Sequence, residues 1–261
     1  MAVATQKKLI DELKGVVDDL SSVFYAQLIE AVSVLPSGSK AELRNALIEA
    51  FPAILGPYMA SSADVGASFY EASRSASIGG AYAAEVAKPD LPESLVSSLA
   101  RYAVTPLGEE TGLDSVVSVL AGAGQRHIAN SASDSIRYNV GRDGQAYGYA
   151  RKPAPGCCEF CAMLSTRVYS DKQTALSVSG GARGRLRGPQ KVGDKYHDNC
   201  RCATVPVFGD ATDQFSDVIA VNPDAEKYLK AYQTAYEMSG DAAMGKRDKA
   251  ILANMRQLLQ L

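Results

Sequence analysis

The sequence CCEFC occupies residues 157–161, and a second cluster, HDNCRC, occupies residues 197–202. These two segments contain all five cysteines and one of the two histidines of the 261-residue chain. Thiolates and imidazoles are the ligands that zinc prefers, and two intervening residues let one turn of backbone direct two ligands at a single point. The two segments therefore predict a closed, four-ligand zinc site that staples the fold around them.

More ligand candidates are present than a tetrahedral zinc shell can use. The candidates that share these short spacings are Cys158, Cys161, His197, Cys200 and Cys202. The simplest tetrad omits Cys202, because both remaining pairs then have two intervening residues. Cys202 could instead replace either His197 or Cys200. Cys157 is the expected spare, since adjacent cysteines do not readily point the same way in an extended or turn backbone.

Charge is distributed unevenly along the chain, although the formal net charge is only −2. Residues 1–150 carry 11 basic and 17 acidic side chains, whereas residues 151–202 carry 10 basic and 4 acidic ones. Residues 203–261 return to a slight acidic excess, with 6 basic and 8 acidic side chains. A basic central module is therefore expected between two acidic regions.

The basic module contains a glycine-rich loop that has no core-forming pattern. Its cationic side chains are those of Arg183, Arg185, Arg187 and Lys191. Such a loop suits contacts to nucleic-acid phosphates that do not depend on base sequence. The alternative is a solvated linker between the two cysteine segments, and the sequence favours neither.

The regions that flank the cysteines have helical periodicity. Apolar residues at steps of three and four predict a long amphipathic helix over residues 5–34. A second helical run from Lys40 towards Ser77 is expected to be interrupted by Pro52 and by Gly56-Pro57. The other predicted elements are helices over 94–104, 112–140, 226–239 and 242–259 and strands over 145–151 and 203–208.

These elements predict a mainly α protein with three regions. Residues 1–150 form a long helical region, residues 151–210 a small zinc-stapled α+β module, and residues 211–261 a helical tail. The N-terminus lacks a secretory pattern, and no apolar stretch approaches the roughly 20 residues of a membrane span. An odd number of cysteines argues against a disulfide framework and is typical of a protein made in a reducing cytoplasm.

The predicted tail presents three tyrosines at helical spacing. Tyr228, Tyr232 and Tyr236 occupy positions i, i+4 and i+8 and would form a stripe on one helix face. The stripe could pack against the body of the protein, or it could dock on a partner as an exposed anchor. The sequence leaves both interpretations open.

The two cysteine segments resemble a known family. The strings GCCEFCAML at 156–164, VY at 168–169 and YHDNCRCATVP at 196–206 are similar to the Mu F-like minor head proteins of tailed phages. The similarity is closest to the minor capsid proteins encoded near the portal gene in phages of actinobacteria. The motifs lie within residues 151–208, while the long helices before them carry no specific signature.

The resemblance implies a non-enzymatic virion protein, made in the bacterial host cytoplasm and present in a few copies per particle. Its implied partners are the portal protein, other capsid components and the packaged DNA, and its implied role is head assembly and genome packaging or ejection. Two alternatives remain open. One is a zinc-dependent nuclease or other DNA-processing enzyme, which needs an open metal site beside a carboxylate such as Glu159 or Asp198. The other is a cellular zinc-ribbon DNA-binding protein.

The basic loop generates a direct prediction. Replacing Arg183, Arg185 and Arg187 together by Ala should weaken DNA binding equally for all sequences, because phosphate contacts carry no base information. The slope of log affinity against log salt should become shallower by about 0.9 for each lost duplex contact. Equilibrium binding to two unrelated duplexes over a salt series measures both effects. Unchanged binding at low and high salt would identify the loop as a linker.

Overall fold

The computed structural model describes residues 2–107, 112–169, 202–209, 214–240 and 244–261. Within these ranges the chain forms eight helices and one two-stranded sheet, which confirms the prediction of a mainly α protein. The elements are α1 (Ala2–Val34), α2 (Lys40–Ile78), α3 (Glu93–Val104), α4 (Leu113–Arg142), β1 (Ala146–Lys152), α5 (Glu159–Leu164), β2 (Ala203–Phe208), α6 (Gln214–Val221), α7 (Ala225–Met238) and α8 (Met244–Leu259). None of the helices in the described ranges combines the length and apolar character that a membrane crossing requires.

Helix α2 runs without a break through both prolines, so the predicted interruption at Pro52 and Pro57 is wrong. Each internal proline removes a backbone hydrogen bond and costs a helix about 3 kcal/mol. Against this cost, α2 buries a ridge of large apolar side chains at every fourth position, each at most 3 % exposed: Leu43, Leu47, Phe51, Leu55 and Met59. Burial of each contributes about 1.5–3 kcal/mol, so the ridge outweighs the two prolines.

Helices α2 and α4 approach each other closely through small residues. Gly66 of α2 lies against the backbone of Ala132, where an added Cβ would overlap the Ala132 carbonyl. Nearby, the Ser62 hydroxyl donates a hydrogen bond of 2.6 Å to the carbonyl of Ile128. The small side chains of Ser62 and Gly66 therefore allow the two helices to pack closely.

The sheet lies between two apolar cores. Strands β1 and β2 are antiparallel, with Lys152 opposite Ala203 at one end, and an isolated bridge joins Tyr149 to Tyr169. Ala150, Val205 and Val207 face a core shared with α1, α2, α4 and α6. Tyr149 belongs to the other core, which contains the cysteines and residues of α7 and α8. Successive strand residues point to opposite faces, so this thin sheet connects the two cores.

The buried carboxylate of Asp143 holds the short segment between α4 and β1 in place. Asp143 accepts hydrogen bonds from the Tyr70 hydroxyl at 3.0 Å, from Arg74 Nε at 2.6 Å and from the backbone N–H of Gln145 at 3.0 Å. Burial alone would raise the pKa of the Asp143 carboxyl, but these hydrogen bonds outweigh it and hold that pKa below its usual value. The network ties α2 to the end of α4 and so positions the strand that leads to the cysteines.

The close contact between α2 and α4 generates a stability prediction with an internal control. Gly66→Ala should lower the free energy of unfolding by about 1–3 kcal/mol, because the new methyl group forces two helix backbones apart. Gly56 lies in the same helix, but a Cβ added there meets no atom within 4 Å. Gly56→Ala should therefore raise stability by about 0.5–1 kcal/mol through helix propensity alone. Denaturant unfolding measures both; equal effects would contradict the close approach.

Candidate metal centre

A tight turn delivers the first cysteine segment to the core. Gly156 has φ +67°, and the N–H of Cys157 donates to the carbonyl of Ala154 at 3.1 Å. With Pro155 before the glycine, these features define a type II turn, in which the third residue needs positive φ. The turn reverses the chain after β1 and directs Cys157, which is 8 % exposed, into the apolar interior.

The short helix α5 places the next two cysteines differently. Cys158 has extended backbone angles at the N-cap position of α5 and is partly exposed. Cys161 lies in the helix and is 3 % exposed. Ala162 and Leu164 of the same helix are completely buried, so α5 is anchored by its inner face. The two cysteines therefore occupy one helical turn, with Cys158 at the rim of the core and Cys161 inside it.

The strand register brings the second segment to the first. Because Lys152 pairs with Ala203, the end of β1 and the start of β2 lie side by side. Cys202 directly precedes β2, is 5 % exposed and belongs to the same apolar cluster as Cys157 and Cys161. No disulfide joins any two of the four described cysteines. Cysteines from both segments, which lie far apart in the sequence, thus reach one core.

A tyrosine from the tail contacts this cysteine cluster. The Tyr228 hydroxyl lies 4.0 Å from Cys157 Sγ. Burial raises the pKa of the Tyr228 phenol above its ordinary value, and the neighbouring thiol of Cys157 raises it further. Tyr228 therefore remains a neutral phenol that packs against the cysteine segment and contacts its sulfur.

The C-terminal helices form one wall of the cysteine core. Ala231 and Ala235 of α7 and Ile251 and Met255 of α8 are all buried in the cluster that contains Cys161. The tyrosine stripe divides accordingly, with Tyr228 and Tyr232 partly buried against this core and Tyr236 39 % exposed. The interpretation in which the tail packs against the body is the one that the structure supports.

The carboxylate beside the first cysteine pair has a definite partner. Arg256 of α8 binds both oxygens of Glu159, with Nη2 to Oε1 at 2.6 Å and Nε to Oε2 at 3.2 Å. Such bidentate pairing is the strongest geometry for arginine and carboxylate. Glu159 is consequently engaged in joining α5 to α8.

The described residues include only part of the predicted site. Cys158, Cys161 and Cys202 are described, while the remaining candidates for metal or DNA contact lie outside the described residues: His197, Cys200, Arg183, Arg185, Arg187 and Lys191. Within the described ranges, no three His, Cys, Asp or Glu side chains are grouped closely enough to hold a metal ion. The donor chemistry nevertheless suits zinc, since thiols from both segments reach one buried cluster.

Sequence reasoning missed two features of this site. The Pro155-Gly156 pair is a recognisable type II turn signal, and it could have indicated that the chain reverses just before Cys157. The contacts of Tyr228 with Cys157 and of Arg256 with Glu159 join segments far apart in the chain. Neither contact leaves a local pattern, so only the folded structure reveals them.

One comparison with known proteins gives a match over most of the chain. The family model described as VG15 protein matches residues 4–235. The chain belongs to the VG15 protein family. No curated protein matches the sequence, and no solved structure does.

Membership in the VG15 family supports the coarser part of the sequence-based expectation, a phage protein associated with the virion. The family match does not specify the Mu F-like type of minor head protein. The match spans nearly all of α1, then α2 to α4, the cysteine segments and most of α7, so the family model covers far more of the chain than the two cysteine motifs.

The packing of α8 on the cysteine core generates a paired prediction. Met255 is completely buried in that core, whereas Leu258 of the same helix is 42 % exposed. Met255→Ala should lower the free energy of unfolding by about 2–5 kcal/mol, because it removes buried volume. Leu258→Ala should change stability by no more than about 0.5 kcal/mol. Thermal or denaturant unfolding of both variants measures these changes. Similar small decreases in the free energy of unfolding would show that α8 does not pack tightly on the cysteine core.

Proposed function

We propose that this chain is a minor capsid protein of a tailed phage, associated with the portal vertex, with a role in head assembly and in genome packaging or ejection. The observation that carries the proposal is the meeting of two cysteine segments in one core, in the order and spacing of the Mu F-like motif. Membership in the VG15 family supports the phage assignment. The portal protein and other capsid components are the proposed partners.

The proposed metal is one structural zinc ion per chain. Cys158, Cys161, His197 and Cys200 would hold it, with Cys202 as the alternative for one of the last two. Bound zinc supplies a four-way cross-link between the two segments, and the free energy of metal binding then adds to that of folding. Zinc would bind these side chains as thiolates, and its positive charge would compensate theirs in the buried cluster that contains Cys161 and Cys202.

We further propose that the protein is not an enzyme. A hydrolytic zinc site needs an open position and a carboxylate that can accept a proton from water. Glu159 is held by both guanidinium contacts of Arg256, which favours a structural role for this carboxylate. Metal-dependent DNA cleavage that is lost in a Glu159→Gln variant would support the nuclease alternative instead.

Metal content tests the proposed site directly. Elemental analysis of the purified full chain should find close to one zinc per chain, and Cys161→Ser should abolish tight binding and destabilise residues 151–208. Small zinc modules lose on the order of 10 kcal/mol of folding free energy without their metal. Cys157→Ala is the matched control and should retain a full equivalent, since Cys157 is the proposed spare. Less than half an equivalent in the parent protein would contradict the zinc proposal.

Particle composition tests the proposed function. A phage with a nonsense codon in this gene should produce heads that fail to package or deliver DNA, and expression of the full chain in the host should restore infectivity. Mass spectrometry of purified wild-type particles should find the protein at a few copies, in proportion to the portal protein rather than to the major capsid protein. If purified infectious particles lack the protein, the proposal of a capsid component fails.

A further inference from the structure

A groove lies between α1 and α4, and none of the described residues that line it belongs to the cysteine cluster. Its volume is about 440 Å³, within the range of established ligand clefts of about 300–1,000 Å³. One wall is a row of α1 residues from Asp18 to Ile29, and the other is a row of α4 residues from Asp114 to Gln125. Each row repeats at steps of three and four, so each wall is a single helix face.

Short side chains line both walls of the groove. Ser21 and Ser22 of α1 face Ser118, Ala121 and Gly122 of α4 across it. These side chains are too short to fill the space between two helix backbones, which normally pack at 8–10 Å through larger residues. The furrow is therefore built into the sequence of both helices.

The dimensions of the groove suit a helix. Each lined row spans eleven residue steps, and at about 1.5 Å per residue the furrow is roughly 16 Å long, or about three helical turns. A third helix laid between two others can insert one row of side chains into such a furrow. A furrow bounded by two helix faces along its length favours an elongated occupant over a compact small molecule.

The lining also indicates the chemistry of the occupant. Tyr25 and Ile29, one turn apart on α1, are 48 % and 43 % exposed along the groove. The exposed carboxylate of Asp114 adds a negative charge to the α4 wall, and none of the described residues that line the groove is Lys or Arg. An apolar pair beside an acidic side chain complements a helix with an apolar seam and flanking basic residues.

We propose that this groove docks an amphipathic helix of another particle protein, one with apolar residues at helical spacing and Lys or Arg beside them. The inference rests on the proposed function, since it names the surface through which the protein attaches to the particle. The attachment surface is then formed by α1 and α4, and the cysteine module and the tail stabilise the fold.

Site-specific cross-linking tests the proposal in the assembled particle. A photoreactive phenylalanine derivative is introduced at Tyr25 in the full chain, which is supplied to a phage that lacks the gene. Tyr102, which is 67 % exposed on α3, is the control position. Irradiation of purified particles should cross-link position 25, and not position 102, to a segment with apolar residues at steps of three and four and neighbouring Lys or Arg. Mass spectrometry identifies that segment by its sequence.

Charge reversal provides an independent measurement. Asp114→Lys should reduce incorporation into particles at least tenfold, and Asp19→Lys, an exposed change on α1 outside the groove, should leave incorporation unchanged. Tyr25→Ala should also reduce incorporation, with Tyr102→Ala as its control.

The outcomes separate this inference from the proposed function. Absence of the parent protein from particles contradicts the proposed function itself. If the parent is present, three results overturn the groove proposal: no cross-link from position 25, a cross-link to an acidic segment or to another copy of this chain, or equal incorporation of Asp114→Lys and Asp19→Lys. If Asp114→Lys or Tyr25→Ala fails to fold, the cross-linking result from position 25 alone decides.

Discussion

The pairing of β1 with β2 is the constraint on which the rest of the structure depends. The opposition of Lys152 and Ala203 brings the segment that starts at Cys157 next to Cys202, although about forty residues with an excess of basic side chains separate them in sequence. A one-residue slip in this register would exchange the two faces of the sheet. Val205 and Val207 would then leave the core shared with α1, α2, α4 and α6 and would point towards the cysteines instead. The register thus determines both the packing of the sheet and the composition of the candidate site.

The sheet connects three parts of the chain that the sequence presents as separate. Its inner face packs on α1, α2 and α4, and Tyr149 of its other face lies in the core that α7 and α8 help to form. The Glu159–Arg256 pair and the Tyr228–Cys157 contact then attach the tail to the cysteine helix. A metal held by the cysteine segments would consequently stabilise the tail as well as the module.

The sequence predicts helices and strands well where a periodic apolar pattern extends over many residues. It predicts them less well where tertiary packing determines the conformation. The bounds predicted from local patterns for α1 and for both strands lie within three residues of the observed ones. The break expected at Pro52 does not occur, because the benefit of the buried ridge is a tertiary effect that local rules omit. Helix α6, Gln214–Val221, was not anticipated, since its eight residues are too few to show a helical period. In the candidate site, the spacing of the cysteines predicts the metal ligands. The side chains of α7 and α8 that pack against the cysteines lie far away in the sequence, so no local pattern predicts them.

We propose that the two cysteine segments close around one structural zinc ion. X-ray absorption at the zinc edge of the purified full chain tests this proposal, because it counts and identifies the ligand atoms. We expect four ligands, three sulfurs at about 2.3 Å and one nitrogen at about 2.0–2.1 Å. Four sulfurs would place Cys202 in the shell instead of His197 and keep the site closed. An oxygen ligand from water, or a shell of three protein atoms, would contradict a structural role.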